Sequence, residues 1–385
     1  MRNANALWIE RLSVSNFRNY TSATLELGPG PVVLTGPNGS GKTNLLEAVS
    51  LLSPGQGLRR AAYVDLTRAG SAAPWAVAGR VHSAIGTVEI GTGLGGASEA
   101  SGRIVRIDGV TQSGSGILAD YVEVVWLTPS MDGLFTGPAS DRRRFLDRLV
   151  LCFDPEHGRR ANRYERAMQM RNRLLADGSR DGAQFDGVER VMAEDGTAIA
   201  AARAQAATVL AACSERRRLR GPDSPFPWAG IALEGRLETD LARMPALDAE
   251  DNFRAALRQG RERDRAAGRT LDGPHRTDLI VTHGPKGMPA RLSSTGEQKA
   301  LLLGLVLSHA EVAAERRDGQ VPILLLDEVT AHLDAARRAA LFQELVTLGC
   351  QAWLTGTDRD AFAGLGGGAI LVVVEGGRVA VEGAL

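Results

Sequence analysis

The sequence predicts an α/β protein in which a lobe with a mixed sheet and an antiparallel β subdomain is interrupted by an inserted α-helical lobe. Three observations carry that expectation. A glycine-rich loop, Gly36-Pro37-Asn38-Gly39-Ser40-Gly41-Lys42-Thr43, stands between a short apolar run and a helix-like stretch. A second apolar run ends in two acids, Asp327 and Glu328, and reads as a strand buried on both faces of a parallel sheet. Between them, from Ser140 to about Gly268, strand signals nearly vanish and helical ones take over.

Along the chain, Leu7-Trp8-Ile9, Leu12-Ser13-Val14 and Thr24-Leu25-Glu26-Leu27 read as strands, and Pro31 to Thr35 as the strand that feeds the loop. Asn44 to Leu52 is helical, with apolar residues at 45, 46, 49 and 52. Residues 75 to 127 alternate strand-like runs with glycine and serine turns, and Gly91 to Gly102 reads as a hairpin tip. After Gly137-Pro138, Ser140 is placed to cap a helix from Asp141 to Leu151. Apolar residues from Phe185 to Cys213 recur at helical steps and describe one long helix running to Arg220, with a further helix around Asp251 to Ala267. From residue 271 the α/β pattern returns: a turn and strand, a strongly apolar helix before Ser308, the buried strand, a helix from Ala335 to Leu348, a strand from Gln351 to Thr355 and a closing hairpin.

With 385 residues, 44% of them hydrophobic, the chain can build two or three domains. Lys plus Arg equals Asp plus Glu at 45 each, so net charge says nothing about a nucleic-acid partner. Its distribution is more telling: Asp141 to Arg180 carries 11 arginines against 6 acids, and Arg216-Arg217-Arg218-Leu219-Arg220 forms a second cluster. Such clusters are either solvated helix faces or tracks for a phosphate backbone. The three cysteines, Cys152, Cys213 and Cys350, form no C-x-x-C pair, which suggests neither a disulfide framework nor a zinc site and fits a reducing compartment. No signal-peptide pattern opens the chain, and no apolar run approaches the roughly 18 residues of a membrane helix. The expectation is a cytoplasmic protein with no membrane partner.

Glycines let successive N–H groups converge on phosphate oxygens, and the helix start adds unsatisfied donors and its positive end. Lys42 would reach the β- and γ-phosphates of ATP, and the Thr43 hydroxyl would hold Mg2+. Lysine occurs only at 42, 286 and 299, so a compact ammonium at 42 is required rather than habitual in this arginine-rich chain. Asp327 can reach the Mg2+ shell opposite Thr43, and Glu328 can orient or deprotonate the attacking water. Ser293-Ser294-Thr295-Gly296-Glu297-Gln298, at a helix start, is a second anion site or a capping box of Ser294 with Glu297. Since the loop already holds the γ-phosphate, the order and spacing favour two subunits closing on each other's nucleotide.

These stretches, together with Asn16-Phe17-Arg18-Asn19-Tyr20, Asp141-Arg142-Arg143-Arg144-Phe145-Leu146-Asp147, Gly273-Pro274-His275-Arg276 and Leu324 to Asp334, give the chain a resemblance to the RecF family, ABC-type ATPases related to the SMC proteins. The resemblance covers nearly the whole chain in the family's order. It implies an ABC-type ATPase lobe from residues 1–138 and 268–385 and a helical lobe from 139–267. It further implies slow ATP hydrolysis in an ATP-closed homodimer and binding to double-stranded DNA and to single/double-strand junctions. Cooperation with RecR and RecO, and through them RecA loading on gapped DNA, completes that expectation. By the same resemblance Ser294, Gly296 and Glu297 make the contact to the partner's ATP, Asp334 lies in the dimer loop, and the switch role falls to Thr355. The chain departs from the family at Glu297, where glutamine is usual, and at Glu328, where a second aspartate is common. Around Pro129, Ser130-Met131-Asp132 diverges from the acidic pattern, and no ligand is assigned there.

Two other functions compete. A transporter-like ABC subunit is opposed by the long helical insertion between loop and signature, and a small-molecule phosphotransferase leaves the signature and Gly273-Pro274-His275-Arg276 without a role.

Overall fold

In the computed structural model, which describes residues 6–95, 102–221, 224–331, 333–366 and 368–384, the chain divides into two units. The first gathers the described residues of 1–132, 223–226 and 295–385, and the second those of 133–222 and 227–294. Half of the expected hairpin tip at 91–102, Pro222 in the break after the long helix, and His332 fall outside the described residues.

The first unit opens with β1 (Trp8–Phe17) and β2 (Tyr20–Glu26), followed by β3 (Val32–Thr35) and α1 (Lys42–Ser50). Next come β4 (Ala76–Ser83), β5 (Gly86–Leu94), β6 (Arg103–Ile107), β7 (Val110–Thr111) and β8 (Val124–Leu127). The second unit holds α2 (Ala139–Leu151), α3 (His157–Ala176), α4 (Gly182–Arg220), β9 (Ala229–Glu234), α5 (Arg236–Leu241), α6 (Ala246–Gln259), α7 (Arg261–Ala267), β10 (Asp278–His283) and β11 (Met288–Pro289). The first unit resumes with α8 (Thr295–Arg316), β12 (Ile323–Leu326), α9 (Ala335–Leu348), β13 (Ala352–Gly356), β14 (Ile370–Glu375) and β15 (Arg378–Ala384).

Two sheets build the first unit. One is antiparallel, in the order β2-β1-β4-β5-β6-β7. The other runs β15-β14-β3-β13-β12-β8 and is parallel except for the edge strand β15. Every residue of β3, β12 and β13 is buried, which is why these strands read as apolar runs without alternation. The apolar face of α1, Leu45, Leu46 and Val49, shares one core with Ile9, Leu12 and Val77 of the antiparallel sheet and Leu34, Ile323 and Leu325 of the parallel one. That shared core holds the helix start against the strand ends.

Some expectations change. The runs expected at Leu7–Ile9 and Leu12–Val14 fall in one strand, β1, which starts at Trp8 and has a register shift between Ile9 and Arg11. Val122–Leu127, expected among the antiparallel strands, supplies β8, paired in parallel with β12; a short apolar run does not specify its partner. In the second unit α4 spans 39 residues, and the Asp181 side chain accepts from the N–H groups of Ala183 and Gln184 at its start. Ser140 does not cap α2: Pro138 occupies the cap position and Ser140 lies inside the helix. The helix expected over 251–267 is two helices, α6 and α7, parted at Gly260.

The strand β9, Ala-Gly-Ile-Ala-Leu-Glu, carries little strand signal because alanine and glycine are poor strand formers. It pairs antiparallel with β10 in the sheet β11-β10-β9. Residues 268–294, expected with the ATPase lobe, therefore belong to the second unit. The earlier boundary falls after Asp132 rather than Pro138, because Arg142 of α2 donates to the carbonyls of Leu134 (3.1 Å) and Gly137 (2.7 Å). Among the described residues no helix is long and apolar enough to cross a membrane.

Candidate nucleotide site

Neighbouring strands β3, β13 and β12 each deliver one part of the site at their carboxyl ends, where ligand crevices of open α/β sheets lie. The loop Gly36–Thr43 follows β3, Thr355 lies near the end of β13, and Asp327 follows β12. Because β13 stands between the other two, its threonine falls between loop and acid. Thr43 Oγ1 donates to Asp327 Oδ1 at 2.9 Å, and Thr355 Oγ1 donates to the same oxygen at 2.8 Å. The Glu328 N–H donates to Thr355 Oγ1 at 2.7 Å. Glu328 takes φ +48°, a conformation that costs a non-glycine residue about 1–2 kcal/mol. One hydroxyl thus fixes the buried carboxylate and the strained backbone of the exposed glutamate beside it.

The loop itself is shaped to receive anions. Lys42 is 5% exposed, and its Nζ donates to the carbonyls of Gly36 (2.6 Å) and Pro37 (2.8 Å). Burial pulls its pKa below the usual lysine range, while Glu328 and Asp327 push it back up. Ser40 Oγ is buried and has no hydrogen-bond partner among the described residues, a polar atom left for a ligand oxygen. Gly41 adopts φ +117°, and a Cβ there would lie 2.6 Å from both Asn19 Nδ2 and Tyr20 Oη.

That crowding exposes a role missed in the sequence. Asn19 Nδ2 donates to the Ser40 carbonyl at 2.9 Å, Tyr20 Oη donates to the Gly41 carbonyl at 3.0 Å, and Asn44 Nδ2 donates to Asn19 Oδ1 at 2.8 Å. The turn between β1 and β2 and the first residue of β2 therefore grip the loop by the carbonyls of Ser40 and Gly41. Arg18 is forked onto the buried Glu47 of α1 by two 2.8 Å bonds and donates to the Asp65 carbonyl at 3.0 Å.

Residues 8–363 match the family model described as RecF/RecN/SMC N terminal domain. The chain is 56% identical over 372 residues to the DNA replication and repair protein RecF of Mesorhizobium japonicum, an alignment covering 96% of this chain and 97% of that one. The chain belongs to the RecF family. It is also 58% identical over 379 residues to the RecF of Brucella suis biovar 1, covering 98% and 97% of the two chains. Among solved structures, that of the recombination mediator protein RecF-ATP in the RecFOR pathway superposes with a TM-score of 0.84 at 23% identity, covering 98% of each chain. The fold is that of the ABC-type ATPases, as the RecF resemblance implied.

The remaining RecF-family positions lie outside this three-strand cluster. Ser294 is exposed just before α8, while Gly296 and Glu297 are in its first turn and partly exposed. Asp334 caps α9, accepting from the Arg337 N–H at 2.8 Å. After β8, Thr128 Oγ1 and Ser130 Oγ are 2.8 Å apart, and Asp132 lies 3.5 Å from Nζ of the buried Lys299 in α8.

Proposed function

We propose that this chain is an ATP-dependent DNA-binding protein of recombinational repair, a slow ATPase that dimerises on ATP. The observation that carries the reading is the convergence of Thr43, Thr355 and Asp327 on one carboxylate oxygen beside a loop that presents Lys42. Its curated relatives bear the name DNA replication and repair protein, and a solved relative was determined as RecF-ATP in the RecFOR pathway. Gapped and duplex DNA, with RecO and RecR as partners and RecA loading as the outcome, follow for this chain as part of the same proposal.

The loop N–H groups and Ser40 Oγ would take the phosphate oxygens of ATP, and Lys42 would move from its carbonyls to the β- and γ-phosphates. The donor set suits Mg2+, a hard cation that takes oxygen ligands: the Thr43 hydroxyl and the Asp327 carboxylate are such ligands and stand 2.9 Å apart. Thr43 and Asp327 would hold Mg2+, whose charge would offset the negative charge that develops on the phosphates. Glu328 is the group that takes a proton from the attacking water, and Thr355 positions it through the backbone bond.

Ser294, Gly296 and Glu297 would complete the site of a second copy, with Asp334 in the loop between the two. Ser294→Arg tests this. ATP binding to the single chain should stay within about twofold, while ATP-dependent pairing, followed by light scattering, should be lost. A dimer that still forms with ATP would reduce this stretch to a helix cap.

A further inference from the structure

The two arginine clusters of the sequence differ in how their charge is met. Arg217, Arg218 and Arg220 lie in the last turn of α4, where the negative end of the helix stabilises cations. Arg142, Arg143 and Arg144 begin at the fourth residue of α2, toward the positive end, where the helix gives them nothing.

Neighbours neutralise two of these three. Arg142 forks onto Asp278 at 2.6 and 2.8 Å, and Arg144 pairs with Asp141 at 2.5 Å. The other nearby carboxylate, Asp147, is forked by Arg203 at 2.7 and 2.9 Å and lies 2.9 Å from His157 Nε2. Arg143 is left without a carboxylate of its own: its Nη1 donates to the Thr277 carbonyl at 2.8 Å. Next to Thr277 stands Arg276, exposed, whose side chain makes no hydrogen bond or ion pair among the described residues. Burial, with Arg203 and Arg276 as like-charged neighbours, pulls Arg143 below its usual pKa, against the opposing pull of Asp147 and Asp278.

Arg276 is held in place by the turn that carries it. Gly273 takes φ +136°, and a Cβ there would strike Tyr164 Oη. His275 Nδ1 lies 2.8 Å from Tyr164 Oη, and its Nε2 lies 3.1 Å from the Thr270 carbonyl. Burial lowers the His275 pKa, which favours the neutral ring, in which Nε2 donates to the carbonyl and Nδ1 accepts from the tyrosine hydroxyl. Pro274 gives its carbonyl to Arg203 Nη1 at 2.6 Å, and the Arg276 N–H donates to the Gly273 carbonyl at 2.9 Å. The motif is a braced turn that carries Arg276 one residue before the carbonyl that Arg143 bonds.

We propose that Arg143 and Arg276 form a receptor for a backbone phosphate of DNA, and that the cluster ending α4 does not. The proposal rests on the DNA-binding reading above. Two guanidiniums without carboxylate partners, one bonded to the Thr277 carbonyl and the other carried on the preceding residue, offer planar donors matched to a phosphate. They read no base edges, so the contact is independent of sequence.

The test measures binding of a labelled gapped duplex over a series of salt concentrations with ATP present, for the wild-type chain, Arg276→Gln, Arg143→Gln and Arg217→Gln. Arg276→Gln removes no bond of the fold and is the decisive variant. It should bind roughly tenfold more weakly, with the slope of log affinity against log salt smaller by about one, and it should keep ATP-dependent pairing. Arg143→Gln should behave alike, and Arg217→Gln should match the wild type. Unchanged affinity and slope in Arg276→Gln would overturn the receptor, as would an equal loss in Arg217→Gln. Wild-type chain that ignores DNA at every salt concentration would instead sink the functional reading on which the receptor stands.

Discussion

Lys42→Met is expected to abolish nucleotide-dependent behaviour while leaving the fold intact. The methionine stem can fill the same space, but it cannot donate to the Gly36 and Pro37 carbonyls, as the ammonium does at 2.6 and 2.8 Å. Nor can it meet the phosphates. Removing one partner of a buried charge pair costs about 3 kcal/mol, or roughly a hundredfold in affinity. Neither Arg18 nor Arg59 can compensate, because both donate to Glu47 on α1. Isothermal titration with ATP checks the prediction, and undiminished binding by the mutant would remove the phosphate-loop role of Lys42.

Glu328→Gln should separate binding from turnover. Glutamine keeps the size of the side chain and the N–H that donates to Thr355 Oγ1 at 2.7 Å, so the strained backbone and the Asp327 carboxylate keep their positions. What disappears is the capacity to accept a proton, which is worth about 10²–10⁴ in rate for a positioned base. ATP should still bind, and the dimer should accumulate because it no longer resolves by hydrolysis. The measurement is phosphate release in single turnover, with light scattering alongside. Near-normal release would place the base elsewhere.

Local patterns made much of this molecule legible before its structure. The loop Gly36–Thr43, the wholly buried β12, the long α4 and the bounds of α9 are each set by residues adjacent in sequence, through glycine placement, apolar runs or helical period. Partner choice was not legible in this way. The run of β8 gives no sign that it joins β12, and alanine-rich β9 conceals that it pairs with β10 and so draws 268–294 into the second unit. Within the site, Thr43 and Asp327 could be paired by the chemistry of the motif. The grip of Asn19 and Tyr20 on the loop could not, since their bonds go to backbone carbonyls some twenty residues away. An asparagine in the turn between β1 and β2 and a tyrosine at the start of β2 were the available signal, and their partners appear only once the sheet has placed them beside α1.

The most direct test of the central claim is fluorescence anisotropy of a labelled gapped duplex titrated with the chain at fixed moderate salt, first with ATP and then with ADP. Tighter binding with ATP is the predicted result, because pairing of two copies around the nucleotide would bring two DNA-binding surfaces to bear at once. Equal affinity with both nucleotides would contradict an ATP-gated DNA-binding protein.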